Sequence, residues 1–420
     1  MSVVAMASNE IQKLRPSLPI PTAIKGAEIG SFAHFTVTVR LPEIAQRVIA
    51  ENEFPSSIEQ NLAALIGEIP NGEIRDLQDA DAPDLAAWTG YIEPYKGSNW
   101  LDVPWYFVEA YFYRRILEAT TYFQVGSWQN VDPYEKQKRL GLETTIDAIG
   151  ALSGFVKSAI ASTTDIETKK SAFRQLLSAD LWGNRVDLSL WPIMEGGSSR
   201  VESTREQSYI LVDDTPIIAE KVVNFQNLRV DFIVDNAGFE LIGDLCLADY
   251  LLASHAAEVV YLHLKAHPIF VSDAMSKDVL YTIAFLTQAT DLNLKELGWR
   301  LKDYLDNGRL LCQENFFWTS PLAFWEMPES LDQELSNSNL IIVKGDANYR
   351  RTVGDRHWEY TTPYQSITSY FPAPFVALRT LKSELATGLS TEQLKQLPQQ
   401  DTQWLTNGQW GVIQFVERDR

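Results

Sequence analysis

The stretch LRVDFIVDNAGFELIGDLCLADYLL, residues 228–252, decides the fold. Its opening run LRVDFIVD (228–235) has the length and apolar density of a buried strand, and a helix over about 237–254 follows after a short turn. A strand passing through a tight turn into a helix opens a βαβ unit, and the same alternation continues downstream. EVVYLHLKA (258–266) reads as a strand, helices follow over about 276–289 and 293–305, and NLIIVKG (339–345) is a third strand before a helix over about 347–353. YQSITSYF (364–371) reads as a further strand and FVALRTLKSELATGL (375–389) as a helix. The expected class is α/β, a mostly parallel sheet sandwiched by helices in a Rossmann-like α/β/α arrangement. Ligands in such sheets bind outside the carboxyl ends of the strands.

Upstream the pattern changes. Apolar residues recur at three- and four-residue spacing around 42–52, 57–67, 103–120, 134–163 and 166–179, which predicts helices. The helix opening at Pro104 carries too many aromatics for one stripe and should be buried on most sides, with Glu109 paired to Arg114 or Arg115. The acidic span 69–96, punctuated by Pro70, Gly72, Pro83, Gly90 and Pro94, reads as a long surface connection. MEGGSSRVEST (194–204) reads as a junction, dividing a mainly helical cap domain (1–193) from an α/β catalytic domain (205–420).

Composition narrows the function. The chain of 420 residues carries 55 Asp and Glu against 36 Lys and Arg, a net charge of −19. That field opposes a nonspecific grip on nucleic acid or an anionic membrane, both of which need basic surface. Cys246 and Cys312 are the only cysteines, so neither a disulfide framework nor a thiolate zinc site is expected. The five histidines offer no helical zinc pair either. With no apolar run of membrane-spanning length and no secretory start, a cytoplasmic protein is expected.

Three strand ends carry polar residues. Asp235 and Asn236 leave the first strand as adjacent oxygen donors, half of a site for a hard divalent cation; they are equally suited to capping the helix that follows. Asp273, beyond the second strand, would complete a metal site. Lys344, Gly345 and Asp346 end the third strand: Lys344 is expected to project at the sheet's edge as a phosphate-binding cation, and Gly345 to let the backbone turn its N–H groups toward an anion. Arg350 lies about a turn further on, and Arg379 and Lys382 are placed at i, i+3 on one helix face. Glu240, in a first helical turn, suits the helix dipole or a role beside the metal. Asp244, a turn later, is expected to be solvated. Asn184, in LWGNRVDLS, is a candidate substrate or metal contact.

The segments VDNAGFELIGDLCLADYLL, FVSD, KGDANYRRTVGD and ALRTLK resemble the metal-dependent damage-control phosphatases, in the subfamily marked by an Arg-Thr-x-Lys motif, here Arg379 to Lys382. GSFAHFTVTVRLPEI, PWYFVEAYFYRRI and LWGNRVDLS extend the resemblance through the helical half. It implies Asp235, Asn236 and Asp273 as metal ligands, with Asp235 and Asp273 as catalytic carboxylates. It also implies phosphate contacts from Asp346, Asn348, Tyr349, Arg350 and Lys382, with Glu240 nearby. The implied activity is hydrolysis of small phosphorylated metabolites, ketose phosphates such as fructose 1-phosphate or fructose 6-phosphate, with Mn²⁺ or Mg²⁺ and also Co²⁺ or Ni²⁺ as cofactor. Some members of the group are also described as protein-glutamate O-methyltransferases. Against a S-adenosylmethionine site stands the turn DNAGFE, which has one glycine where dinucleotide-type folds carry a glycine-rich turn. A noncatalytic sugar-phosphate sensor would share the same residues and differ only in turnover.

Overall fold

The computed structural model describes residues 15–162, 165–183 and 208–418. Its centre is a seven-stranded sheet: β1 (Ile210–Asp213), β2 (Leu228–Ile233), β3 (Ala257–Lys265), β4 (Leu310–Asn315), β5 (Leu340–Lys344), β6 (Phe375–Thr380) and β7 (Gly411–Val416), in the order β1-β7-β6-β5-β2-β3-β4. All neighbours are parallel except β6 and β7. From β2 the chain builds outward through β3 to β4, then returns across the sheet to lay β5 on the other side of β2, with Ile233 paired to Val343. The crevice therefore opens beyond the carboxyl ends of β2 and β5, where the winding reverses.

The central strands β2, β5 and β6 are buried on both faces, and alternate residues feed two cores. Ile233, Ile341, Val343, Phe375 and Ala377 face one, with the N-terminal helices α1 (Leu41–Glu51), α2 (Ser56–Glu68), α3 (Leu85–Ile92) and α4 (Trp105–Ala119). Val230, Phe232, Ile342, Val376 and Leu378 face the other. That second core also takes in α5 (Glu135–Glu143), α6 (Ile146–Ala161), α7 (Ile166–Leu181), α8 (Thr215–Val222) and α9 (Phe239–Ala253). The helices α10 (Ser276–Gln288) and α11 (Leu292–Asp306) close it. Among the described residues no helix is long and apolar enough to cross a membrane. The junction expected at 194–204 lies outside the described residues.

Several expectations are corrected. The run 375–389 opens as β6, not a helix; with both faces buried, a central strand shows an unbroken apolar run that periodicity cannot tell from helix. The segment 364–371 holds a short helix, Tyr364–Ile367, started by Pro363, with Tyr364 stacked at 4.9 Å on Tyr349. The helix expected over 134–163 is two, α5 and α6, broken at Thr144 and Thr145. The span 69–96 contains α3, and its Asp79 and Asp84 are buried against Arg114 at 2.8 and 2.9 Å. β1, β4 and β7 were not anticipated. In α4 every residue but Glu118 is buried, as its aromatic content predicts.

Candidate active site

β2 ends at Ile233, and the next residues to leave the sheet are Asp235 and Asn236. They do not cap α9: the N-cap is Gly238, in a left-handed conformation, and no side chain caps that helix end. The carboxylate and amide are instead held in the crevice. Asn236 Nδ2 donates to Asp235 Oδ2 and to Glu240 Oε2, both at 2.8 Å. Asp273 reaches them from the loop after β3, its backbone pairing antiparallel with Asn236 while the Ala274 N–H donates to the Asp235 carbonyl at 2.8 Å. The Lys265 ammonium, at the end of β3, stands 3.3 Å from Asp273 Oδ2.

Gly345 closes the other wall. It follows β5 with φ +81°, and a Cβ built on it would overlap the Asp235 carboxylate. Only glycine combines that conformation with so close an approach. It opens the eight-residue helix Gly345–Thr352, whose first turn thus lies against Asp235. Asp346 Oδ1 accepts from Arg379 Nε (2.8 Å), Ser383 Oγ (3.0 Å) and the Lys382 N–H (3.3 Å), which pins the turn after β6 beside that helix. Lys382 itself is exposed, and its charge acts on Asp235.

The electrostatics suit a cation. Burial, then the neighbouring charges of Asp273 and Glu240, push Asp235 well above the usual carboxylate range. Burial pushes Asp273 up to about 6 despite the opposing Lys265 charge. Asp235 Oδ1 is buried without a hydrogen-bond partner. A buried, unsatisfied carboxylate oxygen between two further acids costs free energy that a divalent ion would recover. Asp235, Asn236 and Asp273 therefore fit a hard cation with oxygen ligands.

A second acidic group lies where α5 and α10 begin: oxygens of Asp132, just ahead of α5, Glu135 and Asp278 all fall within 4.8 Å of one another. Two ammonium groups already lie among them. Lys138 contacts Asp132 at 3.0 Å and Asp278 at 2.9 Å, and Lys277 contacts Asp132 at 3.0 Å and Glu135. A cation could bind there only by displacing both lysines, so the geometry is that of an ion-pair network fastening α5 to α10.

Comparison with known proteins gives the family. The model of the damage-control phosphatase ARMT1-like domain matches residues 36–397. The chain belongs to this family. Proteins named damage-control phosphatase ARMT1 from Danio rerio and Homo sapiens are 32% and 31% identical, covering 95% and 94% of this chain and 98% of their own lengths. The Xenopus tropicalis protein of that name is 33% identical over 94% of this chain and 98% of its own. A solved DUF89 family protein from Pyrococcus horikoshii aligns with 90% of this chain and 96% of its own at a TM-score of 0.45 and 14% identity.

Asp235, Asn236, Glu240, Asp273, Asp346 and Lys382 gather at one crevice. Four other predicted positions serve differently. Lys344 does not project from the sheet; it is buried against Asp180 and, at 3.0 Å, Asp244, neither of which is solvated. Arg350 is held by Glu109 at 2.6 Å and Asp355 at 2.8 Å, over the Trp105 ring, so Glu109 finds its partner in Arg350 rather than in Arg114 or Arg115. Asn348 donates to the Lys344 and Val234 carbonyls at 2.9 and 3.2 Å, tying the two strand ends. The Tyr349 hydroxyl donates to Gln414 Oε1 at 2.8 Å and lies 2.9 Å from the Thr387 hydroxyl. Arg379 and Lys382 do not share a helix face, since Arg379 lies within β6 and Lys382 follows in the turn. Asn184 lies outside the described residues.

Sequence reasoning missed Lys265, whose ammonium stands 3.3 Å from Asp273 Oδ2, because a lysine at the end of the run EVVYLHLKA looks like the solvated end of a strand.

Proposed function

We propose that this chain is a metal-dependent phosphomonoesterase of metabolite damage control. In this reading it works in the cytoplasm on small phosphorylated metabolites, with ketose phosphates such as fructose 1-phosphate and fructose 6-phosphate as its substrate class. The observation that carries the reading is the convergence at a topological switch point of Asp235, Asn236 and Asp273 with the glycine turn at Gly345 and the exposed Lys382. Asp235, Asn236 and Asp273 would hold Mn²⁺ or Mg²⁺, with Co²⁺ or Ni²⁺ as alternatives. Such an ion supplies Lewis-acid polarisation of a phosphoryl oxygen and activation of water.

The protein's own groups do the rest. The first turn of the helix at Gly345 offers backbone N–H groups to phosphoryl oxygens, and the Lys382 ammonium offsets their charge. Glu240 fixes the Asn236 amide. Asp346 keeps the Lys382 backbone in register with the glycine turn. Lys344 and Arg350 hold the scaffold around these groups rather than touching substrate.

The test is phosphate release by EDTA-stripped protein, with and without each metal, on p-nitrophenyl phosphate and a panel of sugar phosphates. Release restored only by metal and lost in Asp235→Ala is the expected result. No release with any metal, combined with S-adenosylmethionine binding, would transfer the site to methyl transfer.

A further inference from the structure

The loop between β3 and α10 has a conformation that the phosphatase reading does not explain. Phe270 and Val271 have φ of +48° and +67°, and among the described residues they are the only adjacent non-glycine pair with positive φ. For an aromatic followed by a β-branched residue this is a strained arrangement. The Ser272 N–H donates to the Phe270 carbonyl at 2.7 Å, closing a three-residue ring around Val271. With φ positive at its centre, this is a γ-turn of the rare, strained hand rather than the common inverse form.

The surroundings hold the turn in place. The Phe270 ring lies 5.0 Å from Tyr113 and 5.7 Å from Tyr106, both on the buried helix α4. Ile269, just before the turn, is buried, and its carbonyl accepts from the Asp273 N–H at 3.4 Å. The reversal delivers Ser272 to the loop after β2. Its carbonyl accepts from the Ala237 N–H at 2.7 Å, and its hydroxyl donates to Asn236 Oδ1 at 2.5 Å. That oxygen is the one Asn236 would offer to a cation, since its Nδ2 is already committed to Asp235 and Glu240. The next residue is Asp273.

We propose that the Phe270–Ser272 γ-turn is a positioning element for the cation: it places the Ser272 hydroxyl on the Asn236 amide oxygen and, in the same reversal, sets Asp273 opposite Asp235. Ser272 is thus a positioning residue, acting through Asn236. Groups of this kind, which orient a metal ligand without touching the metal, typically change affinity by about 10–100-fold when removed. The inference rests on the reading of Asp235, Asn236 and Asp273 as a cation site.

The experiment is a calorimetric titration of Mn²⁺ into metal-stripped full-length protein, for wild type, Asp273→Asn, Ser272→Ala and Ser272→Thr, with a thermal melt of each metal-free protein. Wild type is expected to bind Mn²⁺ and Asp273→Asn to lose it. Ser272→Ala should bind at least about tenfold more weakly with its metal-free melt unchanged, and Ser272→Thr, which keeps the hydroxyl, should recover wild-type affinity. If Asp273→Asn binds as wild type does, the cation site itself is misassigned and the inference falls with it. If Asp273→Asn loses Mn²⁺ while Ser272→Ala keeps wild-type affinity, the site stands and the positioning role is overturned. A Ser272→Thr protein that melts normally yet binds as weakly as Ser272→Ala also overturns it.

Discussion

Replacing Gly345 by alanine tests whether the glycine turn and the Asp235 carboxylate are built around each other. The new Cβ would stand 2.8 Å from the Asp235 Cβ and closer still to the carboxylate, with φ at +81°. Two costs follow. Holding an L-residue in the left-handed region costs about 1–2 kcal/mol. Forcing a methyl group into filled space costs about a further 1–3 kcal/mol, met by displacing either the Asp235 side chain or the helix at Gly345. The sum, about 2–5 kcal/mol, corresponds to a fall in Tm of roughly 2–6 °C for a chain of this size unfolding as one unit. A double-mutant cycle separates the parts. In an Asp235→Gly background both the carboxylate and the Cβ that obstruct it are gone, so Gly345→Ala should cost only the conformational part, leaving a coupling of about 1–3 kcal/mol between the two sites. Differential scanning calorimetry of the four metal-free proteins gives the cycle, and Mn²⁺ titration of Gly345→Ala should show weakened binding because Asp235 has moved. Additive costs within about 0.5 kcal/mol, or a single variant that melts and binds Mn²⁺ as wild type does, would refute the reasoning.

Asp273→Asn should abolish metal-dependent phosphate release while leaving the metal-free melt at or above wild type, because it removes one of two crowded carboxylates; retained turnover would exclude Asp273 from the chemistry. Lys344→Met should lower stability by about 3–5 kcal/mol, since it strands Asp180 and Asp244 as buried, unpaired charges. A normal melt with a raised KM would instead make Lys344 a substrate ligand. Lys382→Ala should raise KM with an unchanged melt, because its side chain is exposed and its charge is its contribution. Asp84 gives a pH signature. Burial pushes it up, but the two 2.9 Å hydrogen bonds from Arg114 and the His267 ring 3.5 Å away outweigh that and hold it near 2. With the folded value depressed below the ordinary 3.8, its stabilisation, roughly 2 kcal/mol, is complete above pH 4 and is lost as pH falls toward 2. Asp84→Asn should flatten that part of a Tm-against-pH curve, and an unchanged acid limb would show that Asp84 is not the group responsible.

Much of this arrangement was legible in the sequence where the signal is local. The passage from LRVDFIV into Asp235 and Asn236, and from LIIVK into Gly345, is visible because a buried strand ending in polar residues and glycine has few other readings. Lys344 and Arg350 were misread for the opposite reason. Their partners, Asp180 and Glu109, lie far away in the sequence on α7 and α4, and a cation whose counter-ion is remote looks like one free to meet substrate. The strand β6 reads as a helix in the sequence because burial on both faces removes the alternation that distinguishes the two. Ser272 is visible only as one letter of FVSD, since a γ-turn around a valine runs against residue preference rather than with it.

The strand order also has a consequence for the chain as it is made. β2 is central in the finished sheet, but β5, which covers its other side, is encoded more than a hundred residues later. At roughly 5–20 residues per second, synthesis leaves that side of β2 open for about 5–20 s. During that interval an apolar strand with unsatisfied backbone groups behaves as an edge, the form most prone to pair with another chain. A ribosome stalled between β3 and β5 would therefore release a fragment with that edge of β2 uncovered and lacking both the glycine turn and Lys382.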